Sequence, residues 1–240
     1  MKVLKFGGTS VGSAERMRGV ASLILADGQT KVVVLSAMSG TTNTLLEISD
    51  YYRSQNSVGA TEVINQLEQK YAGVINELYT DAQIKADAEK VVKEIFNYLR
   101  SFSSTQFTLF EERCVVAQGE LLSTNLVTCY LRQLGVKVAL LPALEYMRID
   151  KNAEPDFKYI EQHLSEQLAQ NPDQQIYITQ GFICRNAYGE VDNLQRGGSD
   201  YSASIIGAAL RAEEIQIWTD IDGMHNNDPR FVENTKPVRN

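Results

Sequence analysis

The sequence predicts an α/β fold around a largely parallel central sheet. Three observations carry this expectation. Short runs of β-branched and aliphatic residues recur along the chain; segments with helical spacing of apolar residues fill the gaps; and glycine-bearing turns follow the first two runs. A hydrophobic content of 43% and a charged content of 22% are those of a globular domain with a sizeable core.

The first strand is expected at 2–6, followed by a helix at 13–26. A second strand at 31–36 leads into a helix at 42–52. From about 60 to 134 there is no convincing strand. Val63, Leu67, Tyr71, Val74 and Leu78 line one helical face, and Ile84, Ala88, Val91, Ile95 and Leu99 line another. A third helical run covers 109–131 and is expected to break at Gly119. This section reads as a helical layer or insertion beside the sheet. Strands are then expected at 136–142 and 176–180, with a helix at 156–168 between them. Pro155 suits that helix's start. Arg185-Asn-Ala-Tyr-Gly189 reads as a hairpin tip, and a helix at 199–212 precedes a last strand at 215–219. In such sheets ligands gather at the carboxyl ends of strands, where the first two glycine-bearing turns fall.

The composition excludes some partners. A net charge of −7 without a basic block argues against a nucleic-acid surface. No apolar run is long enough to span a bilayer, and Met1 leads into a strand without a signal-peptide pattern, so a cytoplasmic protein is expected. Cys114, Cys129 and Cys184 are scattered and odd in number, as reduced core residues are. Two histidines, His163 and His225, are too few for a histidine-based metal site, and His163 reads as a surface residue.

Four segments concentrate glycine, hydroxyls and charge. Lys5-Phe-Gly-Gly-Thr-Ser10 turns from a strand into a helix and offers backbone N–H groups with a lysine at the lip, as a phosphate requires. The order is unlike the common phosphate loop, whose lysine follows its glycines. Leu35-Ser-Ala-Met-Ser-Gly-Thr-Thr-Asn43 repeats the pattern; Ser39, Thr41, Thr42 and Asn43 read first as helix caps and second as ligand donors. In Leu194-Gln-Arg-Gly-Gly-Ser-Asp200, Ser199 or Asp200 can cap the next helix. Gly197 and Gly198 allow close backbone approach to an anion that Arg196 can clamp. The run from Trp218 to Arg230 carries Asp220, Asp222 and Asp228, which suit a divalent cation, an adenine or ribose pocket, or an ordinary acidic turn. Glu120 follows Gly119 among apolar residues, where a carboxylate is paired, ligand-bound or on a helix surface. No nucleophile–base pair stands out. Cation, glycine turns, arginine and carboxylates together point to phosphoryl transfer, which depends on positioning and charge neutralisation.

Taken together, Lys5-Phe-Gly-Gly-Thr-Ser10, Gly119-Glu120, Gln180-Gly-Phe182, Arg196-Gly-Gly-Ser-Asp200 and Trp218-Thr-Asp220 through Asp228-Pro-Arg230 resemble the catalytic domain of aspartokinases, in the amino acid kinase family. The resemblance covers essentially the whole chain, and the long helical section is similar to that of lysine- or threonine-regulated and bifunctional members. It implies a three-layer sandwich of carbamate kinase-like fold over 1–240. The aspartate-binding lobe would lie mainly in the N-terminal part and the nucleotide-binding lobe mainly in the C-terminal part. It also implies ATP-dependent phosphorylation of the L-aspartate side-chain carboxylate, with Mg²⁺ on the phosphates, as the entry to lysine, threonine and methionine synthesis. By position, Lys5 and Asp200 would be catalytic. Thr42, Glu120, Phe182, Arg196, Gly197, Gly198 and Ser199 would bind aspartate, with Glu120 taking its amino group and Arg196 its α-carboxylate. Lys5, Gly7, Gly8, Ser10, Thr219, Asp220, His225 and Arg230 would meet ATP. Members are commonly homo-oligomers, as the parent protein here is then expected to be.

Some positions depart from the family pattern. Gln195 replaces a common glycine, Asp192 and Asn193 replace threonines, and His225 replaces a frequent tyrosine. Members continue past the equivalent of Asn240 with a lysine-bearing nucleotide motif and paired ACT domains, so a catalytic domain without those parts is expected. Two other readings stay open: a kinase for glutamate, acetylglutamate, a carbamate or a nucleotide, and an ATP- or aspartate-binding piece without turnover.

Overall fold

A computed structural model describes residues 1–104, 106–194, 198–219, 223, 226–227, 232–236 and 238. The chain runs β1 (Lys2–Phe6), α1 (Ala14–Leu25), β2 (Lys31–Leu35), α2 (Thr41–Arg53), α3 (Ser57–Leu78) and α4 (Ala82–Ser101). It continues with α5 (Leu109–Val116), α6 (Gln118–Gln133), β3 (Val138–Leu141), α7 (Ala143–Tyr146) and α8 (Phe157–Gln170). Last come β4 (Ile176–Gln180), β5 (Ile183–Arg185), β6 (Val191–Asn193), α9 (Gly198–Ala209) and β7 (Glu214–Trp218). Among the described residues five strands form one parallel sheet in the order β3-β4-β2-β1-β7, and β5 pairs with β6 as an antiparallel hairpin.

Strand alternation divides the core into two layers. Leu4, Phe6, Val33, Leu35, Ile176 and Ile178 point to one face, where α1, α3, α4 and α6 bury their apolar stripes. Val3, Val32, Val34, Tyr177 and Leu141 point to the other, against α8 and α9. The fold is thus the expected three-layer sandwich, with the helical section on one face. Side-chain caps fix several helix starts. Ser13 accepts from Arg16 N–H at 3.3 Å, Asp81 from Gln83 and Ile84 N–H at 2.9 Å each, and Asp156 from Tyr159 N–H at 3.2 Å. All three cysteines are free and buried. No helix among the described residues is long and apolar enough to cross a membrane.

Three local expectations are corrected. The break between α5 and α6 falls at Ala117, not at Gly119, which lies in the first turn of α6. Helix α2 is capped by Gly40 in the left-handed region (φ 82°) with no side-chain bond, so Ser39, Thr41, Thr42 and Asn43 are not its caps. Thr41 is instead buried and bonded to Tyr71 Oη at 3.0 Å. Ser199 and Asp200 lie inside the first turn of α9 rather than ahead of it.

Candidate active site

The carboxyl ends of β1, β2 and β4 open onto one cavity of about 430 Å³. Lys5, Gly8, Ala37, Ser39, Thr42, Glu120, Phe182, Gly198, Ser199 and Asp200 are among its lining residues. The strand period explains how Lys5 enters it. Lys5 is two residues beyond Val3, so it projects toward α9. There its Nζ meets Asp200 Oδ1 at 2.7 Å; the Lys5 side chain is 12% exposed and that of Asp200 55%. Asp200 in the first turn also complements the positive end of α9.

The β1–α1 turn and the β2–α2 loop are pressed together. Ser39 N–H donates to Gly8 O at 3.0 Å, and a Cβ on Gly8 would lie 2.6 Å from Ala37 O. Glycine is required at position 8 because that neighbour is backbone. The β2–α2 loop is held from its other side by α6, where Ser123 Oγ donates to Ser36 O at 2.7 Å. A Cβ on Gly119 would lie 2.8 Å from Ala37 Cβ, so this glycine serves close helix–loop approach.

That approach places Glu120, 3% exposed, at the cavity. Its Oε1 accepts from Ala37 N–H at 3.2 Å, while Oε2 is buried with no hydrogen-bond partner among the described residues. Burial pushes the carboxyl from its ordinary 4.5 up to about 8, against a smaller lowering by the Ala37 N–H. On a residue that lines the cavity, a buried acceptor oxygen with no partner among the described residues is a place for a donor, above all a cationic one.

The fourth wall interlocks two turns. Phe182 has φ 67°, and its neighbour Gly181 sits so close to α9 that a Cβ there would lie 2.7 Å from Ser199 Cβ. A Cβ on Gly198 would in turn lie 2.6 Å from the Phe182 ring. Gln180 anchors the turn from below, accepting from Ala143 N–H at 2.8 Å and donating to Thr124 Oγ1 at 2.9 Å.

Of the site residues expected from the sequence, Lys5, Gly8, Thr42, Glu120, Phe182, Gly198, Ser199 and Asp200 share this cavity. Gly7 lies beside it, with the Lys5 amine 3.5 Å from where its Cβ would be. Ser10 and Thr219 line a separate cavity of about 340 Å³ with Phe6, Arg16 and Trp218, where the Phe6 and Trp218 rings stack at 5.8 Å. Arg196, Gly197, Asp220, His225 and Arg230 lie outside the described residues. Sequence reasoning did not single out Ala37, whose contribution is a backbone N–H and carries no residue-type signal. It also missed Arg16, which donates to Thr9 O at 2.7 Å beside the second cavity.

Comparison with known proteins agrees with this architecture. The model of the amino acid kinase family matches residues 1–240. Lysine-sensitive aspartokinase 3 of Escherichia coli is 31% identical over 98% of this chain and 52% of its own length. Aspartokinase 1, chloroplastic, of Arabidopsis thaliana is 32% identical over 98% of this chain and 43% of its own. The chain thus spans about half, or less, of the length of these curated relatives. The crystal structure of E. coli aspartokinase III in complex with aspartate and ADP (R-state) superposes with a TM-score of 0.86. It is 30% identical over 99% of this chain and 53% of that one. An isopentenyl phosphate kinase shares the fold alone, with a TM-score of 0.55 at 13% identity. From strand order to family match, the chain belongs to the amino acid kinase family.

Proposed function

We propose that the protein catalyses ATP-dependent phosphorylation of the L-aspartate side-chain carboxylate, giving 4-phospho-L-aspartate. One observation carries this reading: a lysine–aspartate pair and a buried carboxylate with an unpartnered oxygen face the same cavity. The first suits an anion in transfer and the second an ammonium group, and aspartate carries both kinds of group. The resemblance to a protein crystallised with aspartate and ADP supports the same assignment.

In this reading Glu120 takes the substrate ammonium on Oε2, and Thr42, Phe182, Gly198 and Ser199, with Arg196 and Gly197, hold the rest of the amino acid. Gly7 and Gly8 allow the γ-phosphate to approach the β1–α1 turn, and Lys5 moves from Asp200 toward the transferred group as its charge develops. The attacking carboxylate is already ionised at neutral pH, so no base has to remove a proton. A new bond forms between its oxygen and the γ-phosphorus while the bond to the ADP oxygen breaks. What the protein supplies is orientation and relief of repulsion between two anions.

Ser10, Thr219, Asp220, His225 and Arg230 are assigned to the nucleotide side, and the N-terminal part to the aspartate side. Mg²⁺ enters as part of the nucleotide substrate. Among the described residues no group of three or more His, Cys, Asp or Glu side chains is placed to hold a metal. The reading extends to a cytoplasmic protein acting as a homo-oligomer, which sedimentation of the purified protein tests. The activity is tested by coupled ADP release with L-aspartate, L-glutamate and N-acetylglutamate. Release only with aspartate supports the proposal; no aspartate-dependent release overturns it.

A further inference from the structure

One hydroxyl outside the cavity lining ties two of its walls together. Ser202 lies one turn into α9 and is fully buried. Its Oγ donates to Gly198 O at 2.7 Å and accepts from Phe182 N–H at 2.9 Å. A hydroxyl has one donor and two lone pairs, so a single oxygen satisfies both bonds. The partners belong to separate elements: Phe182 follows β4, and Gly198 opens the helix that carries Ser199 and Asp200.

The surroundings leave this link little slack. Phe182 is a non-glycine residue at φ 67°, a conformation that persists only where neighbours hold it. Its carbonyl is held by Leu194 N–H at 2.6 Å, and its N–H is held by Ser202. The missing Cβ atoms of Gly181 and Gly198 let the two turns touch, so movement of one displaces the other. Asp200, two residues before Ser202, meets Lys5 at 2.7 Å.

We propose that Ser202 is a positioning residue for the phosphoryl transfer described above. It holds the Phe182 turn in register with the Ser199–Asp200 turn, and through Asp200 with Lys5. The inference rests on the reading of the cavity as the reaction site. Loss of the hydroxyl orphans the Phe182 N–H and frees its left-handed backbone, while the apolar packing of α9 through Ala203, Ile205 and Ile206 stays in place.

The test compares Ser202→Ala and Ser202→Thr in the purified protein by amide hydrogen exchange and by steady-state kinetics with ATP and aspartate. In the alanine variant the Phe182 amide is expected to exchange at least tenfold faster, with the amides of β1 and β2 unchanged. kcat/KM for aspartate is expected to fall at least tenfold, with KM for ATP within twofold of wild type. Threonine restores both. Unchanged Phe182 protection or unchanged aspartate kinetics in a folded alanine variant overturns the proposal. So does faster exchange spread evenly over the sheet, which marks a general stability role. Should the extra methyl of threonine prevent folding, the exchange pattern of the alanine variant decides. Absence of aspartate turnover in the wild-type protein overturns the functional reading by itself, and Phe182 exchange still judges the link.

Discussion

Glu120→Gln separates the charge of the buried carboxylate from its shape. Burial raises this group from 4.5 to about 8. At about 1.36 kcal/mol per pH unit, that displacement is worth roughly 5 kcal/mol in favour of the neutral acid. The sign follows from proton counts. Between pH 4.5 and about 8 the folded chain keeps a proton on Glu120 that the unfolded chain has released. The stabilisation is therefore fully present below pH 4.5 and is lost as pH rises through about 8, by up to roughly 1.4 kcal/mol per unit. Glutamine keeps an acceptor for the Ala37 N–H and does not titrate. Urea denaturation at pH 5, 6, 7 and 8 is expected to show a gap that grows in favour of the variant, reaching roughly 4 kcal/mol across that range. Aspartate reverses the trend under the proposed function. Its ammonium partners the ionised Oε2, so binding below pH 8 releases a proton, and ligand stabilisation grows with pH in wild type only. Calorimetry in buffers of different ionisation enthalpy reads that proton. Stability curves that run parallel for wild type and Glu120→Gln would refute the neutral buried carboxyl.

Three further outcomes follow from the same geometry. Under the proposed function Lys5 is the cation at the transfer point, so Lys5→Ala is expected to lower kcat by at least about 10²-fold; thermal melting checks that stability barely moves, since Asp200 is more than half exposed. Gly8→Ala drives a Cβ to 2.6 Å from the Ala37 carbonyl, so either the β1–α1 turn or the β2–α2 loop must shift. A stability cost of about 1–3 kcal/mol with loss of turnover is expected, read by denaturation and ADP release. Asp81→Ala removes the cap over Gln83 and Ile84 N–H, remote from the cavity; about 1 kcal/mol of stability is expected to go, with kcat/KM unchanged.

How much of this was legible in the sequence depends on whether a residue's type or its neighbours decide its role. β1 and β4 have the bounds expected from their apolar runs, because a strand buried on both faces declares itself by composition alone. The stripes of α3 and α4 declared themselves by period, with Leu67, Tyr71, Val74 and Leu78 buried on one helix and Ala88, Ile95 and Leu99 on the other. Gly119 was misread because a glycine in a helix has two explanations, a break or a close approach, and only packing against Ala37 separates them. The caps of α2 were misread for a related reason. Four hydroxyl or amide side chains competed for one position, and the left-handed backbone that the turn demands went to Gly40 instead. Ala37 and Ser202 were out of reach. One works through its main chain, and the other differs from a routine helix serine only in what happens to lie above it.

The position of Lys5 ahead of its glycines has a topological cause. The residues that follow Gly7 and Gly8 enter α1, and α1 packs on the face of the sheet marked by Leu4 and Phe6. Asp200 belongs to α9, on the face marked by Val3. A lysine placed after the glycines would start from the α1 side, with the sheet edge between it and Asp200. A lysine on the strand, in step with Val3, reaches the α9 side directly, and the paired atoms stand 2.7 Å apart. In the common phosphate loop, lysine and anion share the helix that the glycines open. Under the proposed function the anion site is divided between the β1–α1 turn on one face and the first turn of α9 on the other. A single loop cannot carry both donors, and the cation must sit on the strand that separates them. The same division explains why the site needs close contacts at Gly8, Gly119, Gly181 and Gly198 rather than one glycine-rich loop. Each of these glycines lets one wall of a cavity built from five chain segments touch the next.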